Sequence, residues 1–104
     1  SGNVKLHVDS FSQLGLNVSG SGNIDLKGNK ANSITANVSG SGKINCSQIS
    51  ANDVIAKISG SGNIKVFVLN SLYAKISGSG NVFYKGDPAS KMSKIGGSGK
   101  VIKI

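Results

Sequence analysis

Apolar and polar residues alternate along most of the chain, and the alternation is reset at regular intervals. After each reset come Val4 and Leu6, Ile24 and Leu26, Ile44 and Cys46, Ile64 and Val66, and Val82 and Tyr84. Before the next come Leu14, Leu16 and Val18, then Ile34, Ala36 and Val38, then Val54, Ala56 and Ile58, then Leu72, Ala74 and Ile76. A period of two marks strands with one buried face. The resets are near-copies of one pentapeptide: "SGSGN" at 19–23, 59–63 and 77–81, "SGSGK" at 39–43 and "GGSGK" at 96–100. Cutting there gives coils 1–20, 21–40, 41–60, 61–78 and 79–97, with a partial coil 98–104. Self-similarity at a fixed period of this length predicts a solenoid.

Each unit reads as strand, corner, strand and glycine turn, with a third short strand at the variable corner. A unit this short cannot bury its apolar face alone, so the units must stack. Stacking sets matching positions about 4.8 Å apart and makes five coils a rod roughly 25 Å long. The turn glycines, Gly20, Gly22, Gly40, Gly42, Gly60, Gly62, Gly78, Gly80, Gly97 and Gly99, are expected to supply positive-φ backbone. The turn serines and asparagines are expected to satisfy free backbone groups and to bond their copies on neighbouring rungs. Asn3, Asn23, Asn63 and Asn81 would form such a column, interrupted by Lys43 and Lys100. A left-handed helix of the hexapeptide type needs an inward aliphatic residue every six positions. From Ile24 that test lands on Lys30 and Ala36, and from Ile64 on Asn70 and Ile76. Right-handed connections are the general rule for parallel strands. The expected fold is all-β: a single-stranded, right-handed parallel β-helix forming one domain over 1–104, within a longer protein.

Repeats of the form "VSGSGNI" followed by alternating apolar residues, notably "NVSGSGNIDLKG" and "KISGSGNVFYKGDP", resemble the head GIN domain family of auto-transporter adhesins, bacterial β-helix proteins. The second stretch is close to the family's terminal "GSG[DN]V-x-Y-x-G-x-P" pattern, and the resemblance covers nearly the whole chain. It implies a secreted or cell-surface module with a structural or adhesive role. Family members often have Asp where this sequence has Asn or Lys, so this member is the more basic.

Composition sharpens the picture. Twelve lysines against four aspartates, with neither arginine nor glutamate, give a net charge of +8. The lack of Glu and Arg amid so much Gly, Ser and Asn points away from helix. The charge favours anionic polymers or surfaces as partners. Specific nucleic-acid binding is not expected, because arginine supplies the phosphate forks and stacking. One cysteine, Cys46, excludes an intrachain disulfide. No stretch approaches a membrane span, and residues 1–30 lack the regions of a signal peptide.

Parallel β-helices can carry polysaccharide-cleaving sites, which need paired carboxylates or carboxylates holding a cation. Asp9, Asp25, Asp53 and Asp87 fall in four different coils. Asp9 and Asp87 share a column about four rungs apart, near 19 Å. No acid pair forms, so no enzyme, catalytic residue, cofactor or metal site is expected. "GSGK" at 40–43 and 97–100 is not a phosphate loop: Asn37 and Lys94 stand where its first glycine is required, and no helix follows. His7 is the only histidine and reads as a solvated side chain. Cys46 reads as a small buried thiol rather than a nucleophile. Asn17, Asn37 and Asn45 match the Asn-x-Ser acceptor pattern through the repeat itself.

The lysines carry the one candidate site. Lys57 and Lys75 share an outward column with Asn17 and Asn37, extended by Lys94, and the stripe could hold an acidic polysaccharide or an anionic cell surface. The plainer alternative is that lysines keep a sheet soluble. Lys5 and Lys65 share a second column with Asp25 and Asn45. Tyr73 and Phe83 are expected outward, where they could stack on sugars. Both ends of the coil stack read as uncapped. That leaves two assembly readings: a flanking domain as cap, or a homo-oligomer through open ends, the subunit of an extracellular fibre.

Overall fold

The computed structural model describes residues 3–104, with side chains described from Gln13 onward except Asn29. The described residues form strands joined by turns and bends, with no helix among them. β1 (Asn3–Gly20), β2 (Asn23–Gly40), β3 (Lys43–Gly60) and β4 (Asn63–Gly78) each occupy one repeat unit as a continuous parallel ribbon. β5 (Asn81–Lys85) and β6 (Ser90–Gly96) share the fifth unit, and β7 (Lys100–Lys103) opens the sixth. Each ribbon pairs with the next in parallel, β4 with both β5 and β6, and β5 with β7. This is a β-solenoid of about five turns. The third short strand expected at the variable corner is not a separate element. With extents of 32 × 32 × 20 Å, the molecule is a squat block rather than the rod that the repeat count suggested.

The alternation read from the sequence becomes the core. Ile34, Val54 and Leu72 stack in one column, Ala36, Ala56 and Ala74 in the next, and Val38, Ile58 and Ile76 in a third, all buried. Alanine in the middle column leaves room for the branched neighbours on either side, as close packing of the layer requires. Cys46 pairs with Val66 in another inward column. Val4, Leu6, His7, Asp9 and Phe11 lie outside the described side chains, although their backbone continues the ladder into β1.

Register is held where the glycines are and relaxed where they are not. Between β2, β3 and β4 the pairing runs without a slip from Ser33, Asp53 and Ser71 to Gly40, Gly60 and Gly78. It shifts on the other arm: between Asp25 and Lys27 and between Lys27 and Lys30 where β2 pairs with β3, and between Cys46 and Ser50 and between Ala51 and Asp53 where β3 pairs with β4. The two-residue deficit of the fourth unit is absorbed there, and Ile49 stays buried inside the bulge. A bulge adds unpaired residues to one strand without disturbing the ladder beyond it. The fifth unit breaks at Gly86, with φ 101°, and at Pro88, which has no amide hydrogen for the ladder.

The two glycines of each turn serve different ends. The first is left-handed: φ is 89° at Gly20, 117° at Gly40, 122° at Gly60, 123° at Gly78 and 154° at Gly97. Positive φ was expected at the second as well, but Gly22, Gly42, Gly62, Gly80 and Gly99 do not adopt it. They are buried, and successive corners approach so closely that a side chain has no room. A Cβ on Gly80 would stand 2.5 Å from both the Gly62 carbonyl oxygen and Ile58 Cγ2. Corner amides are satisfied by the backbone of the preceding rung rather than by the serine hydroxyls. Ser61 N–H donates to Gly40 O at 3.0 Å, and Asn63 N–H to Gly42 O at 3.2 Å. The expected asparagine column is in register, and Asn81 Nδ2 donates to Asn63 Oδ1 at 3.2 Å.

The last described rung mixes polar and apolar residues in its inward columns. β6 places Lys91 on Leu72, Ser93 on Ala74 and the exposed Ile95 on Ile76, and β7 places Lys103 on Tyr84. Lys91 Nζ lies 3.1 Å from the Tyr84 hydroxyl and 5.2 Å from its ring centroid, while Lys103 pairs with Asp87 at 3.0 Å. The aliphatic stems cover the core and the ammonium groups remain in water.

Glycine substitutions separate these constraints. Gly80→Ala is expected to destabilise by about 1–3 kcal/mol through overpacking. Gly15→Ala, whose new methyl meets nothing within 4 Å, should leave stability within about 1 kcal/mol or raise it. Denaturant titration of both variants checks the contrast.

Candidate functional site

The outward positions of the unshifted arm form columns as regular as the core. Asn17, Asn37, Lys57, Lys75 and Lys94 are consecutive partners from β1 to β6. The lysine stripe is therefore one continuous ladder, with Lys94 in strict register rather than at its margin. Lys57, Lys75 and Lys94 are exposed. Among the described residues no carboxylate lies within ion-pair range of them. Lys103–Asp87 is the ion pair found, Asp25 sits in the ladder between Lys5 and Asn45, and Asp53 accepts from Ser71 Oγ at 2.6 Å and Asn70 Nδ2 at 3.2 Å. At the other end of the ladder Asn37 Nδ2 donates to Asn17 Oδ1 at 3.0 Å. The column thus runs from a self-paired amide end to a cationic end.

Two residues further along each ribbon runs a serine column: Ser19, Ser39, Ser59 and Ser77, followed by Gly96. Between the columns lies a groove of about 560 Å³, walled by Asn37, Lys57 and Lys75 on one side and Ser39, Ser59 and Ser77 on the other. A further hollow of about 300 Å³ between Lys75, Lys94 and Gly96 continues it to β6. The groove follows from the corner. Each ribbon bends at its left-handed glycine directly after the serine, so the outward residues before the bend face a shallow trough. Nothing in the periodicity reveals that concavity, and sequence reasoning missed the serines as one of its walls.

Other candidates are dispersed. Tyr73 stands two residues from Lys75, in the column of Thr35, Ile55 and Met92, on the side of the lysines away from the groove. Phe83 pairs with Lys65 and Ile102 on the other arm, so the two rings expected to stack on sugars do not share a surface. Phe67 is partly covered by Lys85, whose Nζ is 5.6 Å from the ring centroid. No group of three or more His, Cys, Asp or Glu that could hold a metal ion occurs among the described residues. His7 and Asp9 lie outside the described side chains. Cys46 is fully enclosed, and burial, helped by the charge of Asp25, pushes its thiol from 9.0 up to about 12. A thiol so placed is inert.

Residues 1–88 match the model of a family described as putative auto-transporter adhesin, head GIN domain. A search of curated proteins gave no match. β6 and β7 lie beyond the matched residues and extend the coil stack.

The Cys46 thiol gives this core a pH signature. Between pH 9 and about 12 the unfolded chain releases the thiol proton while the folded chain retains it, so stability falls as pH rises through that window. Cys46→Ala is expected to be less stable at neutral pH, through lost packing, yet to show a shallower decline across the window. Denaturant titrations of the two proteins over that range measure the difference.

Proposed function

This chain belongs to the auto-transporter adhesin head GIN domain family, and from that premise we propose that it is a non-catalytic module of the cell surface or secreted space that adheres to anionic polymers through its lysine ladder. The observation that carries the reading is the ladder itself. Three like charges on adjacent rungs, about 4.8 Å apart, repel one another and destabilise a sheet when directly opposed. Solubility alone is served as well by lysines scattered or alternated with acids, as in the Lys5–Asp25–Asn45–Lys65 column of the other arm. A column of uncompensated ammonium groups beside a groove favours a ligand that brings the missing charge. The family description, an adhesin domain rather than a class of enzyme, points the same way. So does the ladder context of the acids, with Asp53 between Ser33 and Ser71 and Asp25 beside Asn45.

End-to-end stacking into fibres is the second reading, favoured by the exposure of Ile95, Ile102 and Ile104 on the last rung. Against it, a second copy seated there would bury Lys91 and Lys103, and desolvating two cations costs several kcal/mol each. Adhesion is therefore the better supported of the two.

The variant K57Q/K75Q/K94Q is expected to lose binding to an immobilised acidic polysaccharide while keeping or slightly raising its stability. Wild-type binding should weaken steeply with added salt. Undiminished binding by the variant would contradict the proposal. In sedimentation velocity at physiological salt and rising protein concentration, the adhesion reading expects one species near 10.5 kDa. Growth into long species would favour the fibre.

A further inference from the structure

We infer that the ligand is a linear polysaccharide of uronic-acid type, lying in the groove parallel to the solenoid axis with about one sugar to each rung. The inference rests on the adhesion reading and adds ligand class, position and direction to it. Three independent features of the groove converge.

The first is periodicity. Every rung presents a polar group on the first wall, and β3 and β4 present an ammonium group, Lys57 or Lys75, opposite a hydroxyl, Ser59 or Ser77; β2 pairs Asn37 with Ser39, and β6 pairs Lys94 with Gly96. Rungs repeat about every 4.8 Å, a distance comparable to the advance per ring of an extended pyranose chain. A polymer whose repeat carries one carboxylate and several hydroxyls can meet an ammonium group on successive rungs from β3 to β6, with a serine hydroxyl opposite on β3 and β4, only when it runs along the axis. Laid across the rungs it would meet one lysine.

The second is the chemistry of the serine wall. Ser39, Ser59 and Ser77 are exposed, and their hydroxyls make no hydrogen bond within the described protein, since the corner amides are satisfied by the preceding rung. Each hydroxyl remains both donor and acceptor. A carboxylate or phosphate can only accept from such a group, whereas a sugar hydroxyl uses both capacities. The serine wall therefore favours a hydroxylated polyanion over a bare one.

The third is polarity along the groove. At the β1 and β2 end the wall is the Asn37–Asn17 amide pair, neutral and still rich in hydrogen-bonding groups. From β3 to β6 it is lysine. A chain of uniform charge gains nothing electrostatic over the amide rungs but retains its hydroxyl contacts there, so carboxylates matter most over Lys57, Lys75 and Lys94. The hollow beside Lys94 keeps the groove open as far as β6, which makes the site about five rungs long, near 20 Å by the strand spacing.

The test uses oligogalacturonates of increasing length, with oligogalactose as the neutral match and polyaspartate as a polyanion without sugar rings, measured by calorimetry. Affinity for oligogalacturonate should rise with length to about five sugars and then level off, and oligogalactose should bind far more weakly. S39V/S59V removes two hydroxyls and fills the trough with methyl groups at exposed strand positions where valine is well tolerated. It should weaken oligogalacturonate binding roughly tenfold and leave polyaspartate binding unchanged. Y73A, outside the groove, should change neither. If S39V/S59V binds oligogalacturonate as the wild type does, or if Y73A rather than S39V/S59V is impaired, the inference is overturned while lysine-dependent adhesion stands. If K57Q/K75Q/K94Q loses neither oligogalacturonate nor polyaspartate, the adhesion reading fails and the inference fails with it.

Discussion

Successive coils touch backbone to backbone at the glycine corner, and that contact sets the register of everything else. Gly40, Gly60 and Gly78 bend the chain in a region closed to most residues. Gly42, Gly62 and Gly80 let the next corner settle against the last with carbonyl and methyl groups in the space a Cβ would need. Because two residues are fixed on every rung, the arm leading into the corner cannot slip. A one-residue slip would exchange the faces of the whole arm and turn Ile34, Val54 and Leu72 outward. The opposite arm is in register where it leaves the corner at Asn23, Lys43 and Asn63, and farther from the glycines the pairing bulges and the fourth unit loses two residues without consequence for the columns.

The same constraint that stacks the core also stacks the surface. A solenoid cannot align its alanines without aligning whatever stands outward between them, so a lysine placed at one repeat position becomes a ladder when the repeat is copied. The protein lets this happen on one arm and not on the other. On the shifted arm Asp25, Asn45, Lys65 and Phe83 follow one another in the column, and charge is diluted. Beside the corner it is concentrated from β3 to β6. On the last described rung three inward columns change character, Leu72, Ala74 and Tyr84 being followed by Lys91, Ser93 and Lys103, while Ile95 continues the column of Ile76.

Much of this was legible in the residues. The period gave the coils, the alternation gave the inward columns, and aligned repeats gave Asn17, Asn37, Lys57 and Lys75 as one stripe. What was not legible depends on three-dimensional closeness. The division of labour between paired glycines is invisible in "SGSG", because conformational freedom and lack of room select the same residue. The inward polar residues of β6 were hidden by the loop at Gly86–Pro88, although setting "SKMSKIGG" against "SLYAKISG" places Lys91 opposite Leu72 and Ser93 opposite Ala74. The groove was hidden because alternation says which way a side chain points, not whether the surface it points from is hollow.

In the proposed reading, the lysine and serine ladders beside the corner form the adhesive surface. The most direct test is to map amide chemical-shift changes residue by residue while an acidic oligosaccharide is titrated into labelled protein. The changes should concentrate at Asn37–Ser39, Lys57–Ser59, Lys75–Ser77 and Lys94, with the shifted arm at Asn45, Lys65 and Phe83 silent. Changes centred on the shifted arm, or spread evenly over all the lysines, would contradict it.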